Sequence, residues 1–170
     1  MQESLRYQAD RFRVVRVEPD ASLGLPPRDV IRHPGAVIII PVLDDGSLVF
    51  IRNYRLSVAE ELLELPAGTR DKVEPPLQTA HRELEEETGY VAERVECLGE
   101  FVMSPGILDE RMLVYLARGL SQKAQKLEAD ERITVEIASL ETAMQWLRDG
   151  LLKDAKSIAA LAMYQLRSGE

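Results

Sequence analysis

Gly68-Thr69-Arg70-Asp71-Lys72-Val73-Glu74-Pro75-Pro76-Leu77-Gln78-Thr79-Ala80-His81-Arg82-Glu83-Leu84-Glu85-Glu86-Glu87-Thr88-Gly89-Tyr90 is the stretch that decides how this chain folds. Its second half reads as a helix. Pro75 and Pro76 suit a first turn, where a missing N–H costs nothing. Gly89 suits the position just past a helix end, where the backbone turns left-handed. At about 100° per residue, Leu77, Ala80 and Leu84 share an apolar stripe. Glu83 and Glu87, one turn apart, stack on one face, and Glu86 flanks them. Glu85 falls on the other side of the stripe. Carboxylates crowded in this way repel one another and raise at least one pKa unless a counter-charge is present. A hard divalent cation with oxygen ligands supplies one, and Mg²⁺ fits that description. Arg82 lies one turn before Glu86 and is placed to orient it.

The rest of the chain bounds the setting. Its 170 residues suit one domain with a real core. A hydrophobic share of 45% and a charged share of 29% are those of a globular protein. The net charge of −8 argues against nucleic acid or an anionic membrane as a partner. It does not exclude a phosphate substrate, because a bound metal reverses the local sign. The single cysteine, Cys97, cannot form an internal disulfide, so a reducing compartment, the cytoplasm, is expected. No apolar run has transmembrane length.

Working outward, residues 1–20 suggest a strand with one polar side, carrying Phe12, Val14, Val15 and Val17 among arginines. Leu25-Pro26-Pro27 breaks it, and His33 falls at a bend before Pro34-Gly35, where a structural role is expected. Ala36 to Leu43 and Leu48 to Ile51 flank Asp45-Gly46, a hairpin signal. Pro41 inside the first of these strands suggests a bulge or an unpaired position. Further strands are expected over Val95–Met103, Arg111–Ala117 and Ile133–Ala138. Ser139 is a good N-cap for a helix over Leu140–Asp149. A last helix begins at Asp154, with Ile158, Leu161, Ala162 and Gln165 on one side, and Trp146 is a core anchor.

The spacing of the opening stretch is also a known signature. Gly68, five residues, Glu74, seven residues, Arg82-Glu83-Leu84, one residue, Glu86-Glu87, one residue, Gly89 and an apolar residue resembles the box of the Nudix hydrolases. The one looseness is Tyr90, where that family more often has an aliphatic residue. The resemblance implies an α/β (α+β) fold, a mixed β-sheet sandwiched between helices with an N-terminal β-strand extension. Residues 1–34 would be the N-terminal strand region and dimerisation element, and residues 35–170 the hydrolase domain. Glu64-Leu65-Pro66-Ala67 before the box, and Pro105 after it, resemble the ADP-ribose pyrophosphatases. Asn53-Tyr54-Arg55 is similar to that group's Gln-X-Arg segment, with Asn for Gln.

That resemblance implies a set of roles. The Ala67 carbonyl, Glu83 and Glu87 would hold metal, with Glu86 as a further or indirect ligand, and Mg²⁺ or else Mn²⁺ as the ion. Gly68, Glu74, Arg82 and Gly89 would shape the box. The base that takes a proton from water would be Glu131, or else Glu128, on the acidic loop. Arg55, or else Arg52, would hold a phosphate or the terminal ribose. Pro105 and Gly106 would shape a loop against the substrate, and Glu110 would reach a ribose hydroxyl. The implied reaction splits ADP-ribose into AMP and ribose 5-phosphate. The implied assembly is a homodimer with exchanged N-terminal strands, in which Tyr7 and Phe12 are candidates to stack on the adenine. Two alternatives stay open: the same chemistry on GDP-mannose or another ADP-sugar, and a silent nucleotide-binding module. The second predicts loss of box carboxylates, and all are present.

Overall fold

Every residue from Ala36 to Pro41 is buried, so this strand must be covered on both faces. In the computed structural model, which describes residues 1–127 and 132–168, the elements follow in order. They are β1 (Gln2–Gln8), β2 (Arg13–Glu18), β3 (Arg28–Arg32), β4 (Ala36–Pro41), β5 (Leu48–Arg55), β6 (Glu60–Glu64) and β7 (Ala67–Thr69). Then come α1 (Pro76–Thr88), β8 (Tyr90–Val102), β9 (Arg111–Gln122), β10 (Ile133–Ala138), α2 (Leu140–Arg148) and α3 (Ala155–Ser168). β4 lies inside a mixed sheet of order β7-β4-β9-β8, parallel to β9 and antiparallel to β7. β5 is the centre of a second, antiparallel sheet, β10-β5-β6.

Side chains alternate across a strand, so β4 feeds two cores. Ala36, Ile38 and Ile40 join Phe50, Leu161 and Tyr164 on one face. Val37 and Ile39 meet Ala80 and Leu84 of α1 on the other. β9 divides the same way, with Met112, Val114 and Leu116 in the first core and Tyr115 and Ala117 in the second. Burying each large aliphatic side chain stabilises by roughly 1.5–3 kcal/mol. Trp146 packs edge-on against Phe50, ring centroids 5.4 Å apart. The result is an α+β architecture, strands between α1 on one face and α3 on the other.

Pro41 forms no bulge. It is the last residue of β4, and Val42 N–H resumes the ladder by donating to Ala117 O at 2.9 Å. The turn at Asp45-Gly46 has Gly46 at φ 84°. Ser139 caps α2 by accepting from Thr142 N–H. Two helical stripes differ from the sequence reading. On α1 the buried stripe is Ala80, Glu83, Leu84 and Glu87, and one turn back from Ala80 is Pro76, so Leu77 stays 42% exposed. On α3 the inward residues are Ser157, Ala160, Leu161 and Tyr164. Ala162 and Gln165 face out. Ser157 sets that phase: its Oγ accepts from Leu65 N–H at 2.7 Å, turning the helix by one position.

Residues 1–20 hold two strands, not one. β1 pairs with β2, and β2 with β3, in a separate antiparallel sheet. That sheet is tied to the rest through Ile31, whose N–H donates to Ile107 O at 2.9 Å and whose O accepts from Asp109 N–H at 3.1 Å. Among the described residues, no helix is long and apolar enough to cross a membrane.

Candidate active site

The end of β5, the strand β7 and the helix α1 meet at one cleft of about 380 Å³. Ala67, Gly68, Glu83, Glu86 and Glu87 line one side of it. The helix is aimed by its termini: Pro75 and Pro76 open it, and Gly89 closes it at φ 72° with its N–H on Glu85 O. Two of its carboxylates therefore face inward, Glu83 at 8% exposure and Glu87 at 3%.

Gly68 is required by how closely the strand passes the helix. A Cβ there would lie 1.9 Å from Glu83 Cδ. Glu87 reaches back to the same strand, where its Oε2 accepts from Ala67 N–H at 2.8 Å. Arg82 is shared by three carboxylates: Nη1 is 2.7 Å from Glu83 Oε1 and 2.9 Å from Glu86 Oε2, and Nη2 is 3.0 Å from Glu74 Oε1. Burial alone would lower the Arg82 pKa, but Glu83, Glu74 and Glu86 outweigh it and raise it above its ordinary value. Glu85 points away and pairs with Lys126 at 2.8 Å.

Glu83, Glu86 and Glu87 form an all-oxygen donor set on one wall of a polar cleft, the chemistry a hard divalent cation takes. Among the described residues, no three acidic, histidine or cysteine side chains are already drawn together as a metal centre. Glu83 and Glu86 are turned onto Arg82. The residues fit a divalent ion by their chemistry and their exposure to the cleft.

The other candidates separate. Arg55 lines the cleft. Its Nε and Nη2 donate to Glu64 at 2.7 and 2.6 Å. Arg52 is not brought there: three positions along the strand it faces the other way, with Nε on Glu136 at 2.5 Å and Nη1 3.9 Å from Glu61. Glu110 lines the cleft, and His33 Nδ1 lies 3.6 Å from its Oε1. That His33 nitrogen also accepts from Gly35 N–H, so the residue is structural at its bend. Pro105 and Gly106 are exposed and do not line the cleft. They form the tip of a turn closed by Ile107 N–H on Ser104 O, and that turn receives β3. Glu128 and Glu131 lie outside the described residues.

Asp154 and Lys156 line the cleft as well, and Glu64 lies against Lys156 and Arg55, none of them marked as a site residue by the sequence. Glu64 is 1% exposed between Leu63 and Leu65, and it accepts from Arg55 and from Lys156 Nζ at 2.5 Å. Burial by itself would push its carboxyl up, but Arg55 and Lys156 outweigh burial and hold it below the usual carboxylate range. Asp154 accepts from Lys156 at 2.9 Å and from both Ser157 N–H and Oγ–H. The helix start at Asp154 was legible in the sequence. The partner of Lys156 was not, because it sits 92 residues away.

Comparison with known proteins gives the family. The NUDIX domain model matches residues 32–161, and the chain belongs to that family. It is 38% identical over 162 residues to the methanol dehydrogenase activator of Bacillus methanolicus, covering 91% of this chain and 87% of that one. It is 39% identical over 142 residues to the ADP-ribose pyrophosphatase of Bacillus subtilis, covering 82% and 77%. A solved structure of an ADP compounds hydrolase superposes with a TM-score of 0.81 at 25% identity, over 97% of this chain and 90% of that one.

Proposed function

We propose that this protein is an ADP-ribose pyrophosphatase, hydrolysing ADP-ribose to AMP and ribose 5-phosphate with a divalent cation, Mg²⁺, in which Mn²⁺ can substitute. The observation that carries the reading is the pair of nearly buried carboxylates, Glu83 and Glu87, on the wall of the cleft with Glu86 beside them. Kinship with the Bacillus subtilis enzyme supports the choice of substrate. Glu83, Glu86, Glu87 and the Ala67 carbonyl would hold the ion. Held there, such an ion would supply positive charge against the diphosphate and would favour loss of a proton from water.

The chain's own groups do the rest. Arg82 and Glu74 hold the acidic side chains in place from behind. Arg55 offers N–H donors to phosphate oxygens. Glu110, on the cleft lining, would accept from a ribose hydroxyl. Glu131, with Glu128 as the alternative, takes the proton as water attacks phosphorus and the anhydride P–O bond breaks. The cytoplasm is the compartment this chemistry suits.

The N-terminal sheet suits a second copy of the chain. β1 is its edge strand, with Leu5 61% and Tyr7 59% exposed, and Phe12 lies beside Tyr7. A homodimer exchanging these strands would cover them. Light scattering during size exclusion checks this, with a dimer mass expected for the full chain.

The test of the reaction is a substrate panel of ADP-ribose, ADP-glucose, GDP-mannose and diadenosine polyphosphates with Mg²⁺. The highest kcat/KM is expected on ADP-ribose. Another order of preference removes the substrate assignment, and no turnover of any of them removes the enzyme.

A further inference from the structure

The cleft has a second wall, built from chain segments far apart in sequence. Arg55 comes from the end of β5, and Asp154 and Lys156 from the start of α3, while Glu64, at the end of β6, is bonded to both cations without lining the cleft. Glu64 is nearly sealed from water, with Arg55 forked across both of its oxygens and Lys156 sharing Oε2. We propose that Arg55 and Lys156 form a preset clamp for the diphosphate oxygens of the substrate, with Lys156 a substrate-binding residue and Glu64 the positioning residue that holds both cations. The proposal rests on the diphosphate-hydrolase reading of the cleft.

Donor counting supports it. Arg55 gives Nε and one Nη2 hydrogen to Glu64, which leaves Nη1 and the rest of the guanidinium fork. Lys156 Nζ spends two of its hydrogens on Glu64 Oε2 and Asp154 Oδ2 and keeps one. Both residues line the cleft that Glu83, Glu86 and Glu87 line from the box side. Arg55 is near enough to the box to feel the charge of Glu87. A purely structural ion network is a weak source of stability, because desolvation offsets attraction. Two long cationic side chains already fixed by partners lose little freedom when an anion arrives.

The two walls are also held in register. Glu64 is followed by Leu65, Pro66, Ala67 and Gly68, so the clamp runs directly into the box. Leu65 N–H donates to Ser157 Oγ, and Ser157 is capped by Asp154, the same residue that holds Lys156. Moving α3 would therefore move the ammonium and the box strand together.

The test compares Lys156→Met and Lys156→Arg in the full chain, with inorganic pyrophosphate and Mg²⁺ as the probe. Calorimetry is expected to show pyrophosphate binding weakened about tenfold or more in Lys156→Met, and largely recovered in Lys156→Arg. KM for ADP-ribose should rise by a similar factor while kcat falls less, a split that loosened packing would not produce. In the unaltered protein labelled with ¹⁵N-lysine, the Lys156 ammonium signal should shift on adding pyrophosphate. That measurement decides the matter alone if Lys156→Met does not fold. Unchanged pyrophosphate affinity in a folded Lys156→Met, or an unmoved Lys156 signal, overturns the clamp. Loss of pyrophosphate binding in Lys156→Met by a protein that does not hydrolyse ADP-ribose overturns the substrate assignment and supports the clamp.

Discussion

Buried carboxylates support the cleft from two sides, and the two sides are built in opposite ways. The box set, Glu83 and Glu87 with Glu86, sits on a single helix and is gathered by its 3.6-residue repeat. One guanidinium, Arg82, is shared among Glu74, Glu83 and Glu86. The other set centres on Glu64, with Arg55 and Lys156 brought to it from 9 and 92 residues away. In the first, carboxylates outnumber the cation they share. In the second, two cations meet two carboxylates, Glu64 and Asp154. An excess of acid suits an added metal ion, and balanced charge suits a fixed anchor.

The comparison breaks most visibly at its anchor. Replacing Glu64 by Ala strands Arg55 and Lys156 against a desolvated gap. A loss of about 3 kcal/mol or more is expected, read as a lower midpoint in urea denaturation. If Glu64→Ala unfolds with the parent, the anchor role is gone. On the box side, Glu87→Gln keeps shape and removes charge. Turnover of ADP-ribose should fall at least roughly 10²-fold, followed by AMP release at saturating Mg²⁺. Unchanged turnover would count against the metal assignment.

Gly68→Ala sharpens the contrast, because the clash falls on the movable end of Glu83 and not on backbone. Activity should drop about tenfold or more while Tm moves by only a few degrees. A large fall in Tm with activity retained would show that the strand gives way in place of the side chain.

Acid supplies the next separation. The Glu64 carboxyl is held below its ordinary range in the folded chain, so its stabilising contribution is complete above its unfolded pKa. That contribution is lost as pH falls through the lower folded value. Stability plotted against pH should therefore drop below about pH 5, and Glu64→Gln should flatten that limb. The smallest effect is expected at Glu85, on the far side of the same helix with Lys126. Glu85→Gln should leave turnover within about twofold, which shows that helix face and not acidity decides which glutamates matter.

The same contrast explains what was legible in the sequence. The box helix, its proline start, its glycine stop and the separation of Glu85 from Glu83 and Glu87 all follow from local periodicity. The two-sided burial of β4 is visible in its unbroken apolar run. Leu77 lies off the buried stripe, since a repeat gives the angle between residues and not which angle meets the sheet. Arg52 and Arg55 differ by an odd number of positions, so only one could face the cleft, and β5 alone does not say which. Glu64 and Lys156 carry no local signal of their pairing, since an acidic residue in one strand and a lysine in a distant helix meet only once the sheet has closed. Pro105 and Gly106 mark a turn correctly, but the turn serves β3.

β4 finds its parallel neighbour only in β9, at Met112 to Ala117, long after the box helix in chain order. On a ribosome the helix therefore emerges before one of the strands beside its seat exists. A nascent chain halted between Tyr90 and Arg111 leaves the β9-facing edge of Ala36 to Pro41 unpaired, an adhesive ribbon. Slower synthesis through that window is expected to lengthen the time that edge stays exposed.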